Sequence, residues 1–255
     1  MNKDLHIERR DAVLWLTISR EERRNAITAD VLDGLSRGLD QAERDRSIRA
    51  VVLTGAGDKA FCSGADLQDG RMFDLDPSQP YHRLGLLFRQ ARQATVPIVA
   101  RVNGACVAGG MGLMSMCDMA VAATHAVFGL PEVKVGVFPA QVISLLQHQM
   151  PRKLLTRMCV TGEMLSAVQA HRIGLLNEVD DDPDKALETL LRMVLDRSPS
   201  AIRRGLYTMK RIEAMPFEEA VSFAESQIAL LAMTEDAKEG QAAFREKRNP
   251  VWTGK

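Results

Sequence analysis

The chain has 255 residues, 46% of them hydrophobic, and its 33 basic and 33 acidic side chains give a formal net charge of zero. This length allows one large domain or two small ones with a sizeable core, and the even charge disfavours nucleic-acid binding, which needs a basic surface. No apolar run is long enough to span a membrane, and the first residues lack the apolar core of a signal peptide. We therefore expect a cytoplasmic protein with neither a membrane nor a nucleic acid as its partner.

The candidate metal ligands are four cysteines and five histidines. The cysteines show no C-x-x-C spacing and sit mostly in apolar surroundings, and no two histidines are placed four residues apart. We expect reduced, buried thiols and no metal site.

Strands and helices alternate in the first half of the chain. The predicted elements are a strand pair at residues 7–19, a helix from Thr28 to about Asp45, a strand at 50–54, a surface loop at 68–80, a helix at 81–94 and a strand at 98–102. Apolar residues at helical or strand spacing carry these predictions. They favour an α/β fold.

The second half is nearly all helix after short strands at residues 118–122 and 126–128. Ser166 and Gly174 bracket a short helix as N-cap and C-cap, and a last strand is predicted at 175–179. Later helices are broken near Pro199, Pro216 and Thr234. We divide the chain into an α/β core domain at residues 1–190 and a helical segment at 191–255.

A strand, a glycine-rich turn and the start of a helix follow one another within residues 97–118. The strand ends at an Asn103-Gly104 turn, and Ala108-Gly109-Gly110 leads into an apolar stretch. This order aims several free backbone N–H groups and the positive end of a helix dipole at one point. Such a point suits an anion, or an oxygen that becomes anionic during a reaction. The alternative is that the glycines only allow close packing of helix on strand.

A second glycine-containing loop, KAFCSGADL at residues 59–67, follows the strand at 50–54. Together with NGACVAGGMG at 103–112 it resembles the crotonase family, also called the enoyl-CoA hydratase/isomerase superfamily. The resemblance continues through FGLPEVKVG at 128–136 to FREKRNP near the C-terminus, in the family's order and spacing. It implies a crotonase-like spiral of ββα units followed by a helical segment used for trimer contacts.

The resemblance implies chemistry on an acyl-CoA thioester that passes through an enolate. The backbone N–H groups of Ala65 and Gly109 would hold the negative oxygen, and Glu132 would transfer protons. Apolar neighbours would raise the pKa of Glu132 toward a useful range. The alternatives are a tight loop without a ligand at Ala65 and a solvated loop glutamate at Glu132.

The resemblance also implies where CoA would bind, as part of the substrate and not as a resident cofactor. The matching residues are Arg23 and Arg24 for the pantetheine and phosphates, Asp66 and Leu67 for the adenine, and Phe244 and Lys247 for CoA in a neighbouring subunit. Ser63 is a further expected CoA-binding residue. Arginine suits phosphate oxygens, although a solvated loop charge is an open alternative for both arginines. The apolar helical tail accordingly predicts a homotrimer or a dimer of trimers.

One departure from the family pattern bears on the reaction. Hydratases of the family carry a second glutamate where this chain has Gly112, and dienoyl-CoA isomerases carry an aspartate where it has Ala140. One glutamate suffices to move a double bond, so isomerisation stays simple while hydration is in doubt. Gln141 could order a water or a polar group of the substrate, or be a plain surface glutamine. Asp69 or Asp74 could replace the missing acid. Gly112→Glu would raise hydration if the glycine is a simple loss and the new side chain fits.

The first hypothesis is therefore an enoyl-CoA hydratase or isomerase. A second is another enolate reaction on the same scaffold, such as thioester hydrolysis or decarboxylation. A third, from a different class, is a non-catalytic acyl-CoA-binding protein, favoured by Gly112 and disfavoured by Glu132.

Overall fold

The computed structural model describes residues 3–68 and 77–255. The strands are β1 (Leu5–Arg10), β2 (Val13–Ile18), β3 (Ala50–Gly55), β4 (Ala60–Cys62), β5 (Ile98–Val102), β6 (Ala105–Val107), β7 (Met119–Ala123), β8 (Val127–Gly129), β9 (Met164–Ser166) and β10 (Glu178–Asp180). The candidate acids Asp69 and Asp74 lie outside the described residues.

The helices are α1 (Ala29–Arg44), α2 (Arg83–Gln93), α3 (Gly109–Ser115), α4 (Ala140–Leu146), α5 (Arg152–Thr161), α6 (Ala167–Arg172), α7 (Pro183–Leu195), α8 (Pro199–Ile212), α9 (Phe217–Ala232) and α10 (Glu235–Glu246). Short 3-10 helices lie at Glu21–Arg23 and Pro131–Val135. The predicted caps are confirmed at Thr28, which accepts from the Val31 amide, and at Ser166, which forms a capping box with Gln169.

The larger sheet has the strand order β1-β2-β3-β5-β7-β10. Only the β1–β2 pair is antiparallel, and every other neighbouring pair in this sheet is parallel. Every residue of β3 is buried, as parallel strands covered on both faces require. Helix α7 covers one face, where Leu187 and Leu191 pack with Val52 and Val121, and the main core lies on the other.

The smaller sheet, with the order β4-β6-β8-β9, is absent from the sequence-based prediction. Strands β4, β6 and β8 run parallel, and Cys62, Cys106 and Phe128 stand side by side across them, all fully buried. Each of these strands has three residues, too few to show a period, so residues 60–62 and 105–107 resembled parts of loops.

Two buried asparagines hold the turn that leads into β4. Asn25 donates from Nδ2 to the carbonyls of Ala56 and Ala60 at 3.0 and 2.7 Å. Asn103 donates to the carbonyls of Gly57 and Ala60 at 2.6 and 3.2 Å. Asn103 is thus more than part of a turn signal, because its side chain fixes where the smaller sheet begins.

The helical tail is anchored to the core through α8. Arg203 donates to the carbonyls of Ala42 and Ile48 at 3.1 and 3.0 Å, and Lys210 forms a 2.7 Å ion pair with Asp118. The expected boundary at residue 190 falls inside α7, whose Leu191 packs on the sheet. By packing, α7 belongs with the core, and the division into two parts stays a prediction.

Candidate active site

Three parallel strands bring three loops to one edge of the smaller sheet. Residues 63–65 follow β4, residues 108–109 follow β6, and residues 130–132 follow β8. Because the strands run in the same direction, the loops leave from the same edge. The Ala108 amide donates to the Gly129 carbonyl at 2.9 Å, which joins the second loop to the third strand.

The backbone amides of Ala65 and Gly109 lie close together. A Cβ added to Gly109 would be 3.7 Å from the Ala65 nitrogen, and one added to Gly64 would be 3.2 Å from the Gly109 nitrogen. Neither amide donates to an acceptor among the described residues. The parallel bridge of Ala65 with Ile27 leaves the Ala65 amide unused, because its hydrogen bonds involve the carbonyl of Gly64 and the amide of Asp66. Two neighbouring unpaired N–H groups suit one oxygen that carries negative charge.

Ala65 and Gly109 belong to the lining of a cavity of about 480 Å³ that Glu132 also lines. Its polar side chains are Ser63, His82, Glu132, Lys134 and Gln141, and its large apolar ones are Ile27, Leu67, Leu84, Val135, Val137, Phe138 and Val142. The structure therefore brings together the three residues that the sequence analysis placed in the catalytic site.

Glu132 lies in the 3-10 helix that follows β8, with Pro131 at its first position. Its Oε2 atom is buried and has no hydrogen-bond partner in the described part of the chain. Burial raises the pKa of this carboxyl above 4.5, although a hydrogen bond from its own backbone opposes the shift. A carboxylate with one unpaired oxygen and a raised pKa suits proton transfer.

Gly112 lies on α3, where its missing side chain leaves no empty space. A Cβ at this position would be 2.7 Å from the ring tip of Phe88 and 3.2 Å from a methyl of Val142. Gly112→Glu is expected to raise hydration only if the new side chain fits, and that condition is not met unless the Phe88 ring shifts. Phe88 comes from α2, and nothing in the sequence shows that it faces Gly112.

The predicted CoA-binding residues of the first half form a continuous surface beside the cavity. The Ser63 amide donates to the Arg24 carbonyl at 3.1 Å, and the Ser63 hydroxyl donates to the Arg23 carbonyl at 3.4 Å. Arg23 also hydrogen-bonds Gln68, while Leu67 is exposed and lines the cavity. This adjacency agrees with a shared ligand, and their role in binding CoA stays a prediction.

Asp66 is already engaged within the chain. Its carboxylate accepts from Arg20 at 2.8 Å and from the Gln68 amide at 3.1 Å, and the Arg20 hydrogen bond lowers its pKa. Because the carboxylate is already paired, a ligand at this place would contact the backbone of Asp66 more readily than its carboxylate. Phe244 and Lys247 lie on or after α10, outside the cavity lining, and Phe244 is 86% exposed.

The sequence analysis missed several residues of the cavity. His82 is the N-cap of α2, where its Nδ1 atom accepts from the Leu84 amide at 3.3 Å. Lys134 follows Glu132 by two residues, and its aliphatic chain lies beside Gly162. Their polar character was visible in the sequence, but only the packing of α2 and the 3-10 helix shows that they face the site. Within the described residues, no group of three or more His, Cys, Asp or Glu side chains could hold a metal ion.

Glu132→Gln is expected to stabilise the protein at pH 7.5. The folded-state pKa of the Glu132 carboxyl is raised, so its ionisation lowers the free energy of unfolding as the pH rises above 4.5. The side-chain amide of a glutamine does not ionise and therefore removes that cost. A gain of about 0.5–2 kcal/mol is typical when a functional group that destabilises the fold is replaced. Thermal unfolding at pH 7.5 and 4.5 checks this, because the gain should vanish at the lower pH. Glu188→Gln, on the exposed face of α7, is the control.

Gly112→Ala is expected to lower the free energy of unfolding by about 1–3 kcal/mol through overpacking, even though alanine is the better helix former. Phe88→Leu removes the ring tip, so the same change should cost less than about 0.5 kcal/mol in that background. Urea unfolding of the two single variants and the double variant measures this coupling. Equal costs of Gly112→Ala in both backgrounds would show that Phe88 does not fill the space.

Comparison with known proteins agrees with the geometry. A family model described as enoyl-CoA hydratase/isomerase matches residues 8–255. The chain is 32% identical over 247 residues to (E)-benzylidenesuccinyl-CoA hydratase of Thauera aromatica, covering 95% of this chain and 96% of that protein. It is 32% identical over 256 residues to 2,3-dehydroadipyl-CoA hydratase of Escherichia coli K12, with 99% of both covered.

The fold is also that of solved relatives. The crystal structure of an enoyl-CoA hydratase of Mycobacterium smegmatis superposes with a TM-score of 0.90 at 32% identity and covers 98% of both chains. This likeness confirms the expected crotonase-like α/β fold. In the described part of the chain, no helix combines the length and the apolar character that a membrane span needs. With its family model, its relatives and its fold in agreement, the chain belongs to the enoyl-CoA hydratase/isomerase family, the crotonase superfamily.

Proposed function

We propose that this protein moves the double bond of an enoyl-CoA thioester through an enolate intermediate. The observation that carries the proposal is the shared cavity, which is lined by Ala65, Gly109 and Glu132. Within the described residues, the amides of Ala65 and Gly109 have no acceptor and the buried Oε2 atom of Glu132 has no hydrogen-bond partner. The family acts on acyl-CoA, which supplies a carbonyl for the amides and an acidic carbon for the base.

The proposed reaction uses one residue for both proton transfers. The Glu132 carboxylate takes a proton from the α carbon of a 3-enoyl-CoA, and the electron pair moves onto the thioester oxygen. The amides of Ala65 and Gly109 stabilise that oxygen. Glu132 then returns its proton to the γ carbon, the enolate collapses, and a 2-enoyl-CoA results. The proton taken equals the proton returned, so no second acid and no co-reactant is needed.

Hydration is the second candidate. The relatives reported above are named as hydratases, and His82 and Gln141 in the cavity could orient a water. Against it, Glu132 is the only carboxylate among the cavity-lining residues that the structure describes. Phe88 and Gly112 also leave no room for another one on α3. We therefore place isomerisation first.

The acyl group is proposed to carry a polar function. Two relatives are named for benzylidenesuccinyl-CoA and 2,3-dehydroadipyl-CoA, whose acyl groups contain a free carboxylate in addition to the thioester. In this chain His82, Lys134 and Gln141 supply polar atoms to a lining that is otherwise largely apolar. Substrate assays should therefore compare simple enoyl-CoA thioesters with those that carry a terminal carboxylate.

Wild type is expected to isomerise a 3-enoyl-CoA faster than it hydrates the matching 2-enoyl-CoA. Glu132→Gln should lower the rate of isomerisation by about 10²- to 10⁴-fold, the usual contribution of a general acid–base. Chromatographic separation of the thioester products over time measures both reactions, with Glu188→Gln as the control that keeps its activity. Full activity of Glu132→Gln on every substrate of wild type would refute the assignment.

The assembly is proposed to be a homotrimer or a dimer of trimers. Helix α9 is apolar, yet the only residue it buries within the chain is the polar Gln227. Phe217, Ile228 and Met233 are 77%, 65% and 72% exposed on or next to it. Burying such side chains against another copy is favourable by about 1.5–3 kcal/mol each. An assembly of this kind would also place Phe244 and Lys247 beside a neighbouring CoA site, as the resemblance implies.

Light scattering at micromolar concentration is expected to give a mass of three or six chains, each of 28.2 kDa. Replacing Ile228 with Asp should shift the mass toward smaller species, because it places a charge on the apolar face. Glu225→Asp, on the same helix, is the matched control that keeps its charge. A wild-type mass of a single chain would overturn the proposed assembly.

A further inference from the structure

We propose that Ala108 is a positioning residue that holds the two amide donors of the site in place, at the expense of a strained backbone. This inference rests on the proposed function, because it assigns the donors a negative oxygen. It adds a residue that neither the sequence analysis nor the resemblance gave a role. Ala108 lines the cavity but supplies no reacting group.

The backbone of Ala108 adopts a conformation that favours glycine. Its φ is 51° and its ψ is −125°, close to the first central position of a type II′ turn. The other described non-glycine residues with positive φ are the polar or charged Asp11, Arg24, Asn25 and Lys247. An alanine gains no side-chain hydrogen bond in return for this strain, so the surrounding contacts must impose it.

Hydrogen bonds fix Ala108 on both sides. Its amide donates to the Gly129 carbonyl of β8, and its carbonyl accepts from the Met111 amide of α3, both at 2.9 Å. The strained peptide thus joins the smaller sheet to the first turn of α3. Gly109, the next residue, therefore has its N–H direction set by the ψ of Ala108.

The methyl group of Ala108 packs against the other donor loop. A Cβ added to Gly64 would lie 2.7 Å from the Cβ of Ala108, so this methyl fills the space beside Gly64. Gly64 itself has a φ of 91° and directly precedes Ala65. One methyl group therefore touches the loop of one donor while its own backbone aims the other. Glycine at 108 would relieve the strain but remove this contact.

The alternative is that Ala108 only fills space. In that case Ala108→Gly would change stability alone and leave the direction of both N–H groups intact. The two interpretations differ in the turnover number, because a positioning residue acts on the transition state and a filler does not.

The first experiment compares Ala108→Gly with wild type on whichever substrate wild type converts. We expect the melting temperature to rise by about 2–4 °C as strain is released. The value of kcat should fall by about tenfold with KM changed less than about twofold, because the donors act mainly in the transition state. Ala108→Ser keeps a Cβ and should retain most of kcat. Ala201→Gly, on the exposed side of α8, should lower the melting temperature and leave kcat unchanged.

The second experiment reads the donors without turnover. A para-dimethylaminocinnamoyl-CoA thioester absorbs at longer wavelength when its carbonyl is polarised, so its spectrum is recorded on Glu132→Gln protein with and without Ala108→Gly. We expect a red shift on the Glu132→Gln protein and a clearly smaller one on the protein that also carries Ala108→Gly. An unchanged red shift together with an unchanged kcat overturns the role of Ala108 alone. If the Glu132→Gln protein gives no red shift and wild type shows no turnover, the proposed function is overturned instead.

Discussion

The parallel pairing of β4, β6 and β8 is the constraint on which the site depends. Each strand has three residues, and together they place the Ala65 loop, the Gly109 turn and Glu132 at one edge. So small a sheet holds its register only when its surroundings fix it. The fully buried Cys62, Cys106 and Phe128 provide packing across the strands, and the two asparagines on the Ala60 carbonyl fix where β4 begins.

The site keeps three features that cost folding free energy. Among the described residues, the amides of Ala65 and Gly109 have no acceptor and the buried Oε2 atom of Glu132 has no donor, and Ala108 occupies a conformation that favours glycine. In the proposed function, a thioester oxygen would accept from the two amides, the unpaired oxygen of Glu132 would be free to take a proton, and the Ala108 backbone would aim one donor. Functional sites commonly retain such costs because the rest of the fold outweighs them. Here β3 is fully buried, and α7 packs apolar side chains on one face of the larger sheet.

Packing behind the cavity bears on the choice of reaction as strongly as the residues that line it. Phe88 occupies the space in which a side chain at Gly112 would begin, and Val142 closes it from α4. The position on α3 where the resemblance implies a second carboxylate thus has an apolar neighbour and not an open gap. That arrangement favours chemistry that needs one acid–base group, and it makes a single substitution a poor way to restore a second.

The sequence by itself determined the long elements and the order of the motifs, because periodic apolar patterns and glycine turns are local signals. The choice of Ala65, Gly109 and Glu132 as site residues came from the family resemblance of those motifs. The resemblance also predicted Arg23, Arg24 and Ser63 as CoA-binding residues, and the structure brings these three into contact. The smaller sheet, the Phe88 contact and the presence of His82 in the cavity were decided only by the tertiary structure. Strands of three residues carry no period, and the contact of α2 with α3 joins residues 24 positions apart, so no local pattern could show them.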